Sequence, residues 1–234
     1  MMKDWSILEK RLGVTFKNQE LLKQALVHRS YLNENPAFHL QHNERLEFLG
    51  DAVLELAVTE YLYSNYPNPE GELTNWRAAL VNAKILSEIT QDIGVEEFLF
   101  LSRGEAKDAG SKARQVILAN AFESITGAIY LDQGMEAARG FIARAVLIKL
   151  PHIIEAELYI DAKSRFQEQV QEKFSITPTY QVMSEAGPDH FKHFRVGVFV
   201  ENTLIAEGQG SSKQEAQMAA AKAALKTDWE EKIK

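Results

Sequence analysis

The residues with the clearest capacity for chemistry lie in the run Asn43-Glu44-Arg45-Leu46-Glu47-Phe48-Leu49-Gly50-Asp51. Glu44, Glu47 and Asp51 recur at i, i+3 and i+7, which on a helix confines three carboxylates to about 60° of circumference. Glu55 continues the stripe. Taken alone, such a stripe is most often the water-facing edge of an amphipathic helix. Like charges one turn apart repel, however, so the arrangement costs stability unless a cation compensates it. A second segment, Val116 to Ile125, carries Asn120 and Glu123 at i, i+3 inside a nearly unbroken apolar run. A carboxylate there is costly to bury without a partner; the plain alternative is a self-satisfied core pair of Asn and Glu. If the two segments face each other, Glu47, Asp51, Asn120 and Glu123 make an oxygen-only cluster. Such a cluster suits a hard ion such as Mg²⁺, with Mn²⁺ as a substitute. The ion would activate water and stabilise charge on a scissile phosphate, and a second ion about 4 Å away would stabilise the leaving 3′ oxygen.

Composition bounds the alternatives. The chain has 234 residues, 45% of them hydrophobic, which is enough for one large domain or two modest ones. It has no cysteine, so disulfides and thiolate metal sites are excluded and any metal ligand is a carboxylate, histidine or amide. The first residues lack the apolar region of a signal peptide and no stretch suits a membrane span, so a soluble, cytoplasmic protein is expected. Lys+Arg 26 against Asp+Glu 33 gives −7, of which residues 161–234, with ten basic and eleven acidic side chains, supply −1 and the rest −6. That balance alone argues against a polyanionic partner. A nucleic-acid reading has to rest on positioned residues.

Two kinds of element must position them. Up to about residue 150 the apolar spacing is helical throughout. Asn18 is the expected N-cap of an early helix, and further helices are predicted over 43–64, 72–92, 113–131 and 134–149. Gly94, Gly104, Gly110 and Gly134 punctuate them, and Pro67-Asn68-Pro69 makes a turn. A helix apolar nearly all round, as 43–64 is, belongs in the centre of an all-α domain. After Pro151 the period changes. A helix over 161–174 gives way at Pro178 to alternation, clearest in Phe194, Val196, Val198 and Val200, which share one face of a strand. Leu204 to Gly210 suggests another strand, and Ser211-Ser212 caps an Ala-rich helix from Lys213 to Leu225. The expected fold is therefore multidomain. An all-α domain over 1–150 and a linker over 151–160 precede an α+β domain of order α-β-β-β-α over 161–230. The linker's Ile153, Ile154 and Leu158 also allow a helix extension.

The run 43–54 closely resembles the signature of ribonuclease III, and more of the chain agrees with that family. His28-Arg29-Ser30, Glu70-Gly71-Glu72-Leu73-Thr74, Arg77 to Asn82 and Ile117 to Asp132 all match, and the second half is similar to a double-stranded-RNA-binding domain. The resemblance implies an endonuclease that hydrolyses double-stranded RNA with Mg²⁺, leaving 5′-phosphate and 3′-hydroxyl ends with short 3′ overhangs. It implies a metal cluster of Glu47, Asp51, Asn120 and Glu123, with Asp51 and Glu123 catalytic and Glu44 and Glu70 as accessory acids of the cleft. It also implies a homodimer through the nuclease domain with Phe48 packed into the partner, and processing of ribosomal and some messenger and transfer RNA precursors. Asn120 departs from the family, where many members carry Asp, which implies weaker metal affinity with activity retained.

In the second half, Gln167, Glu168, Gln171 and His190 match positions that meet the RNA minor groove, whose exposed 2′-hydroxyls they can bond. Ser212 and Lys213 match the phosphate-facing start of the last helix, where the dipole favours anions. Gln214 and Gln217 replace lysines common in the family, which implies fewer phosphate contacts. The sequence also admits two other readings. A non-catalytic duplex-RNA binder would keep the fold but not the intact acids, and a carboxylate-rich phosphohydrolase of small nucleotides would leave the second half unexplained.

Overall fold

The computed structural model describes residues 3–108, 110–159, 161–188 and 192–233, and the chain forms two units, Met1–Tyr159 and Ile160–Lys234. Several helix starts in the first unit are fixed by polar side chains that accept from otherwise unpaired N–H groups. Asp4 does so for α1 (Trp5–Leu12), Asn18 for α2 (Gln19–Ala25) and His28 for α3 (Arg29–Glu34). There follow α4 (Glu44–Asn65), α5 (Glu70–Leu80), α6 (Ala83–Ile93), α7 (Arg103–Lys107), α8 (Lys112–Gln133), α9 (Met135–Ala145) and α10 (Leu150–Glu155).

α8 is the central element. From Ile117 to Ile129 only Asn120 and Glu123 escape full burial. α4 lies against it through Leu46, Gly50, Val53, Leu54, Ala57 and Val58, but its far side reaches solvent, with Phe48 and Tyr63 each 81% exposed. The expectation that 43–64 is the helix at the centre of the domain is thus corrected: α8 is buried nearly all round and α4 is not.

Three expected boundaries are corrected. The segment 72–92 is two helices, because the Asn82 side chain accepts from Ile85 N–H and restarts the chain as α6. The segment 134–149 ends as a helix at Ala145 and tightens into a 3₁₀ turn, Leu147–Lys149. The first half of the expected linker 151–160 belongs to α10, whose Leu150 and Ile153 are both 1% exposed in the helical core, and the first unit reaches Tyr159. Gly104 lies inside α7 and does not separate helices.

The second unit contains α11 (Ala162–Phe174), β1 (Thr179–Ala186), β2 (His193–Val200), β3 (Thr203–Gly210), α12 (Lys213–Ala224) and a short α13 (Trp229–Ile233). The strands form an antiparallel sheet in the order β1-β2-β3. Val196, Val198 and Val200 are buried as the alternation requires, and Val198 and Val200 share a core with Phe166, Val170 and Ile205. The alanines of α12 permit a close approach: a Cβ on Gly208 of β3 would lie 2.1 Å from the Ala220 nitrogen. α13 has no counterpart in the expected order. Trp229 anchors it edge-on to Phe166 at 5.5 Å. Among the described residues no helix is long and apolar enough to cross a membrane.

Candidate active site and RNA-binding surface

The start of α4 is pinned by Asn43, which is buried although polar. Its N–H donates to Val27 O at 2.9 Å and its amide to Ala25 O at 3.2 Å, while its carbonyl accepts from the Leu46 and Glu47 N–H groups. Ser124 of α8 also donates to that carbonyl, at 3.4 Å. The only sign of this role in the sequence is an Asn immediately ahead of the acidic run. Further along, α4 and α8 cross where neither has a side chain. A Cβ on Gly50 would lie 1.7 Å from the Glu123 carbonyl oxygen, and one on Gly127 would lie 2.3 Å from the Leu46 carbonyl oxygen. This crossing sets the stretch of α4 that carries Glu47 and Asp51 alongside the stretch of α8 that carries Asn120 and Glu123.

The electrostatics register that convergence. Burial raises the Glu123 carboxyl to about 7, with the charges of Asp51 and Glu47 acting in the same sense. Glu47 is also raised, by burial and then by Glu44 and Asp51, whereas the Asn120 amide donates to it and opposes the rise. Among the described residues none of Glu47, Asp51 and Glu123 has a Lys or Arg partner; Glu44 has Arg29 at 3.5 Å and His42 at 3.7 Å. Three half-buried or exposed carboxylates with like-charge repulsion and no cation make a site that a divalent ion would complete. The donors are all oxygen, as Mg²⁺ requires. As they stand, no three Asp, Glu or His side chains among the described residues are gathered tightly enough to grip an ion. An ion that keeps part of its water shell does not need them to be.

The structure sets one residue that the resemblance groups with this cluster, Glu70, apart from it. Glu70 opens α5, accepts from the Thr74 hydroxyl at 3.0 Å, and lines a cleft of about 660 Å³ with Thr59, Tyr63, Tyr66 and Arg77. That cleft is at the other end of α4, about 18 Å from Asp51 at 1.5 Å per residue. Phe48 points to solvent beside the cluster, away from the core of its own chain.

On the second unit, Gln167 and Glu168 lie exposed on α11, and Gln171 is exposed with its amide donating to the Thr177 hydroxyl at 3.1 Å. Ser212 caps α12, accepting from Glu215 N–H at 3.2 Å, and the exposed Lys213 sits 5.8 Å from the Phe194 ring. Gln217 accepts from Lys163 at 2.7 Å, so this departure from the family's lysine holds another cation in place on the first turn of α11. His190 lies outside the described residues.

Comparison with known proteins agrees with both halves. Residues 18–150 match the Ribonuclease-III-like family and residues 162–227 the double-stranded RNA binding motif. Ribonuclease 3 of Dehalococcoides mccartyi is 43% identical over 225 residues, covering 96% of this chain and 94% of that protein. Ribonuclease 3 of Chloroflexus aurantiacus is 44% identical, covering 93% and 89%. The crystal structure of the nuclease domain of ribonuclease III from Campylobacter jejuni is 40% identical with a TM-score of 0.57, covering 64% of this chain and 98% of that one. A second structure of that domain, 39% identical with a TM-score of 0.57 and covering 63% and 99%, concerns flexibility in a region involved in dimer formation. Fold and comparison together define a class, a helical nuclease domain followed by a double-stranded-RNA-binding domain. This chain belongs to the ribonuclease III family.

Proposed function

We propose that the chain cuts double-stranded RNA by hydrolysis at the α4–α8 crossing, with Asp51 and Glu123 as the catalytic carboxylates. The observation that carries this reading is the convergence of Glu47, Asp51 and Glu123, uncompensated by any described Lys or Arg, at Gly50 and Gly127. Glu47, Asp51, Asn120 and Glu123 would hold Mg²⁺, or Mn²⁺ in its place. When bound, the ion supplies charge neutralisation at the scissile phosphate and acidifies the attacking water. Asp51 orients that water. Glu123 takes its proton as the oxygen attacks phosphorus and returns one to the leaving 3′ oxygen. One P–O bond forms and one breaks, which gives a 5′-phosphate and a 3′-hydroxyl.

The second unit would hold the duplex by shape, with Gln167, Glu168, Gln171 and His190 toward the minor groove and Ser212 and Lys213 toward phosphate. Two copies joined through Phe48 would cut both strands and leave short 3′ overhangs. Structured precursors of ribosomal RNA, and some of messenger and transfer RNA, are the proposed substrates. The test is a long perfect RNA duplex incubated with the native chain and Mg²⁺, with chelator, and with Glu123→Gln. Cleavage in the first case alone is expected. Binding without cleavage at saturating Mg²⁺ would instead make the chain a duplex-RNA binder.

A further inference from the structure

The cleavage chemistry leaves the motif His28-Arg29-Ser30 without a role, and the structure divides its work. His28 and Ser30 form a clasp: His28 N–H donates to Phe100 O at 3.1 Å, His28 Nδ1 and Ser30 Oγ are 2.8 Å apart, and Ser30 Oγ accepts from Ser102 N–H at 3.1 Å. The preceding residue, Val27, accepts from Asn43 N–H at 2.9 Å, so the clasp is joined to the start of α4. Arg29 takes no part in it. Its side chain is 70% exposed and makes one ion pair, 3.5 Å to Glu44, itself 47% exposed. A pair that long and that wet is weak. Among the described residues Arg29 is nonetheless the only Lys or Arg paired with an acid of the α4 stripe.

An RNA strand lying on this stripe meets a difficulty that one bound ion does not remove. The ion offsets charge at the scissile phosphate, but neighbouring phosphates of the same strand pass acids that have no such ion. Glu44 is seven residues from Asp51, about 10 Å along the helix, which is within a nucleotide or two of the cut. The geometry points to Arg29 as a substrate-positioning residue: its guanidinium leaves Glu44 and takes a phosphate of the strand being cut, next to the scissile one. The planar fork suits two phosphate oxygens, and the clasp on either side fixes where it stands. This inference rests on reading the Glu47, Asp51, Asn120 and Glu123 cluster as the cleavage site.

The test uses the full chain and a perfect RNA duplex, comparing native protein, Arg29→Ala, Arg29→Lys, Glu44→Gln and the Arg29→Ala/Glu44→Gln double variant. Affinity is measured against salt in Ca²⁺, and cleavage kinetics in Mg²⁺. For Arg29→Ala, affinity should fall about three- to tenfold and the logarithmic salt slope should become shallower by about one. KM should rise with kcat little changed, Arg29→Lys should keep most of the affinity, and the defect should persist in the double variant. Equal salt slopes for the native chain and Arg29→Ala would overturn the assignment. So would full recovery in the double variant, which would show that Arg29 serves only to neutralise Glu44. A native chain that fails to cleave would count against the nuclease reading, while the salt slopes in Ca²⁺ would still decide the phosphate contact.

Discussion

Glu123 is held where its charge is disfavoured, and the sign of that effect can be followed. Its carboxyl titrates at about 7 in the folded chain against an ordinary value of 4.5, because burial and the charges of Asp51 and Glu47 penalise ionisation. A carboxyl raised in this way destabilises the metal-free fold progressively as pH climbs from 4.5 to about 7, and fully above that. In chelator at pH 8, Glu123→Gln should therefore melt a few degrees above the native chain, and the difference should vanish near pH 4. Calorimetry at the two pH values checks this, and an equal or lower midpoint at pH 8 would count against a strained carboxylate. The same titration makes ion binding compete with protons, so half-saturation by Mg²⁺ should require more metal as pH falls below about 7. Asn120 enters the balance with the opposite sign, since its amide donates to Glu47 and holds that carboxyl down. Asn120→Asp exchanges a donor for a fourth carboxylate. Mg²⁺ should then bind about tenfold more tightly, as one added anionic ligand would give, and the metal-free protein should lose stability. Isothermal titration and melting on the same samples separate the two effects.

At the scale of elements, the site depends on two helices approaching more closely than side chains allow. Gly50→Ala would set a Cβ 1.7 Å from the Glu123 carbonyl oxygen, and backbone cannot yield as the end of a side chain can. The helices must separate, at a cost of about 3 kcal/mol, and the cluster opens with them. Gly50→Ala should thus lower both the denaturant midpoint and the affinity for Mg²⁺, whereas Gly71→Ala, with nothing within 4 Å of its Cβ, should change neither. The carboxylate spacing was legible in the sequence because i, i+3 and i+7 fix an azimuth on any helix. The close crossing was not, since a glycine inside an apolar run gives no sign of what approaches it. The split between α5 and α6 was hidden for a related reason: the apolar period runs on from 72 to 92, and Asn82 is a cap only because its side chain turns back to Ile85 N–H. In the second unit the alternation in β2 and the serine cap of α12 were readable from local rules. α13 was not, because it is one short helix held by Trp229 against rings distant in sequence. Asn43 likewise reads as an ordinary helix-start residue until its bonds to Ala25 and Val27 are seen.

For the whole molecule, the question is what covers the outer side of α4. Phe48 and Tyr63 are each 81% exposed and Leu56 52%, and on a helix the three fall within about 80° of circumference. Single exposed apolar residues are ordinary, but a stripe of them along one helix is what an interface would cover. The proposed homodimer would bury it, with Phe48 adjoining Glu47 in sequence, so that association and the metal cluster share one turn of α4. Phe48→Asp places a charge in that interface while removing little from the packing of its own chain, because the side chain is already in solvent. The variant should therefore sediment as a monomer at micromolar concentration where the native chain sediments as a dimer, and keep the helical content of the native chain. Cleavage of duplex RNA should fall at least about tenfold, since a rim-to-core charge of this kind costs several kcal/mol of association. Binding through the second unit should change much less, because Gln167, Gln171, Ser212 and Lys213 are on a separately folded unit. A native chain that sediments as a monomer, or a Phe48→Asp variant that remains dimeric, would remove Phe48 from the interface and leave the exposed stripe to some other partner.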